Sequence, residues 1–394
     1  MSLSVSKRMA AVKPSPTSAV LALATELRAA GRDIISLGAG EPDFDTPQHI
    51  KNAAKKAIED GATKYTPVDG TADLKDAIQT KFRDENGLSY EPSQIIVSSG
   101  AKQCLFNLCL GLLSPGDEAV IPAPFWVSYP DMVRLAGAEP VIIKAGIEDD
   151  FKITPKQLVA ALTGKTRLLI LNSPSNPTGA SYSKIELQAL GAVLSDHPNV
   201  VIVADEIYEH IHWGEEPFCS FAAACPELYD RTVTINGVSK AYAMTGWRIG
   251  YAAGPRELIT AMKTIQSQST SNPCSVSQVA AIAALSGNQS AVADMTAAYK
   301  NRHDYVVAAL NGIEGFECRS GEGTFYAFPR VSDALQARNL SSDAALVELL
   351  INEADVACVP GTAFGAPGYM RLSFACSMEM LEDAINRIKR VVLA

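Results

Sequence analysis

Seven short apolar segments separated by helical patterns constrain the fold of this chain more than any other feature of its sequence. Turn residues bound each segment, as is typical of strands in a buried sheet. The candidate strands are 94–99, 118–122, 140–144, 167–171, 200–204, 232–236 and 249–253. The helical patterns between them include 101–113, 126–136 and 183–196. Such alternation predicts an α/β fold with a mostly parallel seven-stranded sheet, covered by helices on both faces.

The chain is long enough for two domains, because a single hydrophobic core rarely grows through 394 residues. The pattern changes near residue 300 to a smaller α+β unit. This unit has a long helix, strands "FECRS" and "TFYAFP", helix 342–354, strands "VACVP" and "MRLSFA", and a last helix after Ser377. We expect a large domain at 46–300. The smaller domain is expected to combine 1–45 with 301–394.

The charge and cysteine content narrows the classes of partner. The formal net charge is −9, and the sequence has no block of five or more Lys or Arg, so no surface for nucleic acid or an anionic membrane is indicated. No apolar run approaches the roughly 20 residues that a membrane helix needs. The eight cysteines have neither CxxC nor metal-type spacing. We therefore expect a cytoplasmic protein with reduced thiols, no metal site and small-molecule ligands.

Residues with chemical potential follow five of the predicted strands. In an open α/β sheet, ligands bind outside the carboxyl ends of the strands, so these residues are expected to converge. They lie in "GAKQ" (100–103), "PAPFW" (122–126), "NSPSNPTG" (172–179), "DEIYEH" (205–210) and "NGVSKAYAMTGWRIGY" (236–251). Together they supply glycine, aromatic, amide, carboxylate and lysine groups to one place.

Two charged side chains at these strand ends suggest a bound ring and a reactive amine. Asp205 follows an apolar strand, where a carboxylate is costly unless a cation or strong donor pairs with it. An ordinary loop carboxylate is the alternative. Lys240 lies among small and apolar residues that would lower its pKa and leave a nucleophilic neutral amine, although an exposed loop lysine is commoner. Arg248 adds a forked donor for phosphate or carboxylate.

The remaining candidates can each also be explained by ordinary structure. Gly100 opens a predicted helix, and the N-terminus of that helix suits an anion. The alternative is that the segment at Gly100 is a plain strand-to-helix turn. Trp126 and Tyr129 could stack on a planar ring or fill the core. Asn176 has a free side chain in a rigid turn. Arg371 opens a strand, where it needs an anion if it points inward and forms a surface salt bridge otherwise.

With these residues in view, the chain strongly resembles the class I, fold-type I pyridoxal-phosphate aminotransferases, particularly the bacterial-type aspartate aminotransferase branch. The motifs that match in order and spacing are "GAGEPDFDTP", "KYTP", "PAPFWVSYP", "NSPSNPTGA", "DEIYEH", "SKAYAMTGWRIGYAAGP" and "MRLSFA". They cover nearly the whole chain. The resemblance implies pyridoxal 5′-phosphate as cofactor.

The resemblance also implies roles around the cofactor ring. Lys240 would hold the cofactor aldehyde covalently and then move the proton of the substrate as general base and acid. Asp205 would keep the ring nitrogen protonated. Tyr208 and Asn176 would bond the ring hydroxyl oxygen, and Trp126 would stack on the ring and help to bind substrate.

A second group of residues would bind the cofactor phosphate. By the resemblance, these are the backbone groups of Gly100, Ala101 and Lys102, the side chain of Arg248, and Tyr65 of the partner subunit. A homodimer with shared active sites is therefore expected. One departure is Gly237, where many members of the family carry a phosphate-binding serine three positions before the lysine. Another is Ala101, where glycine is frequent.

The substrate would be bound by a third group. Arg371 would pair with the α-carboxylate, supported by Asn176 and the Gly40 backbone. The side-chain carboxylate would meet three residues, Lys102, Ser15 and Thr17. The expected reaction transfers the amino group of L-aspartate to 2-oxoglutarate by a ping-pong mechanism, which yields oxaloacetate and L-glutamate. Aromatic amino acids and prephenate stay open as alternative substrates, and a lyase or decarboxylase of the same fold stays open as an alternative activity.

Overall fold

The computed structural model describes residues 5–393. Its helices are α1 (Pro16–Ala29), α2 (Gln48–Glu59), α3 (Ala72–Asn86), α4 (Ala101–Leu112), α5 (Tyr129–Leu135), α6 (Pro155–Ala161), α7 (Lys184–Ser195), α8 (Phe221–Ala224), α9 (Arg256–Ser267), α10 (Ser275–Ser286), α11 (Ser290–Asn311), α12 (Ser332–Ala337), α13 (Asp343–Glu353) and α14 (Met378–Leu393). The strands are β1 (Ile35–Ser36), β2 (Ile95–Ser98), β3 (Glu118–Ala123), β4 (Glu139–Lys144), β5 (Thr166–Asn172), β6 (Val201–Asp205), β7 (Thr232–Gly237), β8 (Gly250–Ala253), β9 (Tyr326–Ala327), β10 (Val356–Ala357), β11 (Val359–Pro360) and β12 (Met370–Ser373).

All seven predicted apolar segments form strands of one sheet, in the order β2-β8-β7-β6-β5-β3-β4. The strands from β7 to β4 pair in parallel, whereas β8 runs antiparallel to both of its neighbours. Every residue of β2 and β8 is buried, which explains why these strands have continuous apolar or small sequences. The predicted α/β fold with a mostly parallel sheet is therefore confirmed.

Helices cover both faces of this sheet, and consecutive strand residues point to opposite cores. Ile121 belongs to a core that includes Leu105 of α4 and Ile259 of α9. Its neighbour Val120 belongs to a second core that includes Leu187 of α7. This alternation is the expected behaviour of side chains along a strand.

Local sequence signals explain where two of the predicted helices begin. Ser183 and Glu186 form the expected capping box, in which each side chain bonds the backbone of the other, and α7 starts there. Helix α5 begins three residues later than predicted, at Tyr129. Pro130 occupies its first turn, where a missing N–H group costs nothing.

The C-terminal part of the chain forms its own small sheets and core. Strands β11, β12 and β9 pair antiparallel, and the first strand of the chain, β1, pairs in parallel with β10. Helices α11 and α14 pack around the same core, which includes Val306 and Ile388. The prediction of a strand at "FECRS" is wrong. The Asn311 side chain binds both backbone groups of Cys318, so only Glu317 pairs, with Arg330.

The helices between residues 5 and 393 do not meet the length and hydropathy that a bilayer demands. None of them combines enough length with enough apolar character to cross a membrane.

Candidate active site

A cleft of about 410 Å³ opens at the carboxyl ends of β5, β6 and β7. Its walls come from the strand ends, from the N-terminus of α4 and from the start of α1. The predicted site residues that line it are Ser15, Thr17, Gly40, Ala101, Lys102, Trp126, Asn176, Asp205, Tyr208, Lys240, Arg248 and Arg371. Two others do not line it. Gly100 adjoins Ala101 at its edge, and Tyr65 lies elsewhere on the surface.

Lys240 lies in the cleft as a desolvated amine. Burial lowers the pKa of Lys240 to about 8, and the nearby cation Arg371 adds to this effect while Glu41 opposes it. The ammonium group donates a hydrogen bond to the Gly40 carbonyl oxygen. Its nitrogen lies 5.7 Å from the centroid of the Tyr208 ring. The neutral, nucleophilic form of this amine is therefore accessible near neutral pH.

Asp205, the last residue of β6, presents a buried carboxylate to the same cleft. Only 4% of its surface is exposed, and burial raises its pKa to about 6 despite two donors that favour the ionised form. The stronger of these is the Tyr129 hydroxyl, which donates to Oδ2 at 2.6 Å. The other is the Ile207 backbone N–H. A carboxylate in this setting is suited to pair with a protonated ring nitrogen.

Hydroxyl and amide groups surround the space between Asp205 and Lys240. The hydroxyls of Tyr208 and Tyr326 lie 3.0 Å apart, and burial raises the pKa of Tyr208 well above its ordinary value, so its phenol stays protonated. Asn172 holds the neighbouring turn: its amide donates to the Asp205 carbonyl oxygen and accepts from the Asn176 N–H. The rigid turn predicted from its prolines is thus anchored directly to β6.

Arg371 is a buried cation that no carboxylate neutralises. It is 2% exposed, and none of the ion pairs within residues 5–393 includes it. Nη1 donates to the Asn176 side chain at 2.9 Å and Nη2 to the Gly38 carbonyl oxygen at 2.8 Å, while Nε has no partner. The guanidinium also stacks on Tyr326, 4.4 Å from the ring centroid. A buried guanidinium in this state requires an anion.

The start of α4 forms an anion site next to Lys240. Gly100 has a left-handed φ of +88°, and a Cβ there would lie 2.3 Å from Nη2 of Arg248, so only glycine allows the guanidinium to approach this closely. Arg248 is held by the carbonyl oxygens of Thr245 and Ser99. Gly250 is equally constrained, since its Cβ would lie 2.1 Å from the Ala101 nitrogen. Free N–H groups and a guanidinium meet here, as a phosphate site requires.

The replacement of serine by Gly237 has a steric explanation in this chain. Gly237 ends β7, and a Cβ on it would lie 3.0 Å from both the Gly250 Cα and the Ile249 carbonyl oxygen. That distance is shorter than ordinary van der Waals contact, so a serine would force β7 and β8 apart.

The outer part of the cleft carries the residues expected to recognise the distal end of a substrate. The Lys102 ammonium lies 4.8 Å from the centroid of the Trp126 ring, and partial burial and Arg248 lower the pKa of Lys102. Ser15 and Thr17 lie at the start of α1, where the Ser15 hydroxyl caps the helix by accepting from the Ser18 N–H. The structure therefore brings these predicted residues to one rim.

Tyr65 lies away from the cleft of its own chain. Its side chain is 92% exposed. Such exposure of a large aromatic ring leaves it free to contact another molecule.

Several residues of the cleft were not predicted from the sequence. Tyr129 was noted only as a stacking or core residue, although its position three residues after Trp126 and the polar group it carries were visible signals. Asn172 is the last residue of β5 and could have been found by the same strand-end rule that identified Asn176. Tyr326 and Glu41 gave no such signal, since their positions depend on how the small C-terminal sheet and the segment after β1 pack on the cleft.

The set of groups fits one class of ligand. A desolvated amine, a buried carboxylate and an anion site surround one cleft, which suits a phosphorylated aromatic aldehyde with a basic ring nitrogen. The free guanidinium of Arg371 leaves a second anion site for the carboxylate of another molecule.

Comparison with known proteins gives the same picture. The family model described as "Aminotransferase class I and II" matches residues 32–388. The chain is 55% identical to the aspartate/prephenate aminotransferase of Nitrosomonas europaea, over 98% of this chain and 99% of that protein. It is 48% identical to the aspartate aminotransferase of Bacillus subtilis, over 99% of each. The crystal structure of the aspartate aminotransferase from Rhizobium meliloti superposes with a TM-score of 0.96, at 45% identity and 99% coverage of both chains. The chain therefore belongs to the class I and II aminotransferase family and is an enzyme that depends on pyridoxal 5′-phosphate.

Proposed function

We propose that this enzyme transfers the amino group of L-aspartate to 2-oxoglutarate, with oxaloacetate and L-glutamate as products, in a ping-pong reaction. The observation that carries the proposal is the buried Arg371 without a carboxylate partner, in the cleft that also contains Lys240. A forked guanidinium fits the α-carboxylate that all amino acids and 2-oxo acids share. The amine beside it can then act on the adjacent carbon.

The residues around the cofactor would divide its binding among them. Pyridoxal phosphate, when bound, supplies an aldehyde for amino groups and a ring that accepts negative charge. Lys240 would hold it covalently and, once free, move the proton at the substrate Cα. Asp205 would hold a proton on the ring nitrogen, and Tyr129 would keep that carboxylate oriented. Tyr208 and Asn176 would donate to the ring hydroxyl oxygen.

The phosphate would be bound where the anion site lies. Arg248 and the backbone N–H groups of Ala101 and Lys102 provide donors on one chain, whereas the Gly100 N–H group donates to the Ser98 carbonyl oxygen. We infer that Tyr65 of the partner subunit completes the set, because its ring is 92% exposed on its own chain. The active form is then a homodimer in which each subunit contributes to both sites.

Recognition of an acidic side chain would depend on the outer rim of the cleft. Lys102 provides the cation, and Ser15 and Thr17 provide hydroxyl donors near it. The ring of Trp126 would cover the substrate and limit access of water. This rim lines the same cleft as Lys240 and Arg371, so it suits the second carboxylate of aspartate or glutamate.

A second candidate substrate is prephenate. The relatives from Nitrosomonas europaea and Cereibacter sphaeroides are named aspartate/prephenate aminotransferases, and they share 55% and 54% identity with this chain. Prephenate is also a dicarboxylate with a 2-oxo acid group, so the same two cationic positions suit it. Aromatic amino acids, which lack the second carboxylate, would use the Trp126 surface alone.

We further infer the location and the domain arrangement. All eight cysteines are free thiols, which favours the reducing cytoplasm. The pairing of β1 with β10 favours a small domain built from residues 1–45 and 301–394, beside a large domain at 46–300.

Half-reactions measured one substrate at a time test this proposal. The enzyme is mixed with aspartate, glutamate, phenylalanine or arogenate, and loss of the visible cofactor absorbance is followed. We expect aspartate and glutamate to react fastest and to release one keto acid for each cofactor converted. Release of ammonia or CO₂ without stoichiometric keto acid would instead establish a lyase or a decarboxylase and contradict the proposal.

A further inference from the structure

Two glutamine side chains are completely buried outside the cleft. Gln266 lies near the end of α9 and Gln278 in the first turn of α10, and both have 0% exposure. A buried amide is costly unless its hydrogen-bonding groups find partners. The segments that these two amides bond are therefore expected to be held in fixed positions.

Gln266 uses its full hydrogen-bonding capacity. Its Nε2 donates to the carbonyl oxygens of Val68 and Val97, at 2.7 and 2.8 Å. Its Oε1 accepts from the Ser98 hydroxyl at 2.6 Å and from the Asn107 amide at 3.1 Å. One side chain thus joins the segment around Val68, the end of β2 and helix α4.

Gln278 holds both ends of the same segment, 66–71. Its Oε1 accepts from the Thr71 N–H at 2.9 Å. Its Nε2 donates to the Thr66 hydroxyl at 3.0 Å and to the Pro273 carbonyl oxygen at 2.9 Å. Between these ends, Gly70 has a φ of +102°, and a Cβ on it would lie 2.6 Å from a methyl carbon of Val97. The segment is therefore packed tightly against β2.

This fixed segment connects two phosphate-binding elements. At one side, Ser98 is followed directly by Ser99 and Gly100, the start of the anion site of the same chain. At the other side, Thr66 is preceded directly by Tyr65, whose ring is 92% exposed. Gln278 bonds the side-chain hydroxyl of Thr66, and a Thr66 residue held in this way restricts the direction in which the adjacent Tyr65 leaves the chain.

We propose that Gln278 is a positioning residue for the cofactor site of the partner subunit, acting through Thr66 on the direction of Tyr65. The inference rests on the proposed function, in which Tyr65 binds the cofactor phosphate across the dimer. Gln266 links the segment 66–71 to β2 and α4, which lead into the anion site of the same chain. Each subunit would therefore contribute to its own phosphate site and, through Tyr65, to that of its partner.

Hybrid dimers separate the two sites of the molecule. Two differently tagged chains are coexpressed, and Lys240→Ala in one of them leaves a single site that can hold the cofactor covalently. In the trans arrangement, Gln278→Met is on the chain with Lys240→Ala, so the working site receives its Tyr65 from the altered chain. In the cis arrangement, Gln278→Met is on the chain with Lys240 intact. The rate of cofactor release, followed by absorbance in the presence of a trap, is the readout.

We expect release to be about tenfold faster in the trans arrangement and near the wild-type rate in the cis arrangement, because a hydrogen bond to a charged group is lost only there. Gln268→Met, which alters an exposed glutamine of the same region, is the matched control. It should change the rate of cofactor release in neither arrangement. Equal acceleration in both arrangements, or acceleration only in cis, would overturn the proposal. Sedimentation of each hybrid verifies that the dimers are intact.

A milder variant distinguishes a loss of positioning from a folding defect. Thr66→Val removes one acceptor of Gln278 and leaves its bonds to Thr71 and Pro273, so it should reproduce the trans effect at reduced size. Tyr65→Phe in the same two arrangements tests the premise. A trans effect of Tyr65→Phe without one for Gln278→Met and Thr66→Val overturns this inference alone. If Tyr65→Phe itself has no trans effect, the shared site is overturned as well.

Discussion

The hydroxyl of Tyr129 donates a hydrogen bond of 2.6 Å to Oδ2 of Asp205, and both groups are buried. Tyr129 begins α5 and Asp205 ends β6, so the bond joins two elements far apart in sequence. It is the strongest single contact that opposes the effect of burial on the Asp205 carboxylate. The orientation and the ionisation of Asp205 both depend on it.

Replacement of Tyr129 by phenylalanine should therefore impair the site without unfolding it. A donor to a carboxylate lowers its pKa, so its loss should raise the pKa of Asp205 above the present value of about 6. The acid limb of the kcat/KM profile is expected to move to higher pH, with a loss of roughly tenfold at neutral pH. Tyr305→Phe, at a half-buried position of α11 away from the cleft, is the control. An unchanged profile in Tyr129→Phe would contradict the role assigned to this bond.

Arg371→Lys should separate substrate binding from cofactor binding. The substitution keeps a positive charge but loses the planar fork, and with it one of the bonds to Asn176 and Gly38. We expect KM for aspartate to rise by about a hundredfold while the affinity for pyridoxal phosphate changes little. Titration of the apoenzyme with the cofactor and steady-state kinetics measure the two effects. Arg387→Lys, in a surface ion pair, is the matched control. A large loss of cofactor affinity in Arg371→Lys would argue against its assignment to the substrate.

The strands and their polar ends were predictable from sequence because the signals are local. Each run of apolar residues from 94 to 253 is short enough to be a strand, and its next residue lies at the sheet edge by geometry alone. Asp205 and Asn176 were found in this way. The cleft residues Tyr326 and Glu41 were not found, because they belong to segments that lie more than 80 residues from β5 and β6 in the chain. These segments reach the cleft only through tertiary packing. The strand predicted at "FECRS" failed for a local reason, since the side chain of Asn311 binds both backbone groups of Cys318, seven residues further along the chain.

The pH dependence of cofactor uptake should report the environment of Lys240. Attack on the cofactor aldehyde needs the neutral amine, so the rate at which the apoenzyme takes up pyridoxal phosphate should rise with pH, with a midpoint near 8. An ordinary lysine would give a midpoint of about 10.4. Glu41 favours the ammonium form, so Glu41→Gln should move the midpoint to lower pH and speed uptake at pH 7. Stopped-flow absorbance measures this. A midpoint that rises in Glu41→Gln would contradict the sign of the interaction.

Gly100→Ala tests the contact between Gly100 and Arg248. A methyl group at Gly100 would lie 2.3 Å from Nη2 of Arg248, so the guanidinium must move away from the anion site. The dissociation constant for pyridoxal phosphate is expected to rise by roughly tenfold, as for the loss of one hydrogen bond to a charged group. Gly87→Ala is the matched control, because Gly87 also has a positive φ, of +67°, but has no atom within 4 Å of the added carbon. Gly87→Ala should lose about 1 kcal/mol of unfolding free energy, because Gly87 is left-handed helical. Gly100→Ala should lose more, because a φ of +88° with a ψ of 158° lies in a region that is essentially restricted to glycine. Only Gly100→Ala should weaken cofactor binding, and an equal effect of the two on binding would show that strain, not Arg248, is responsible.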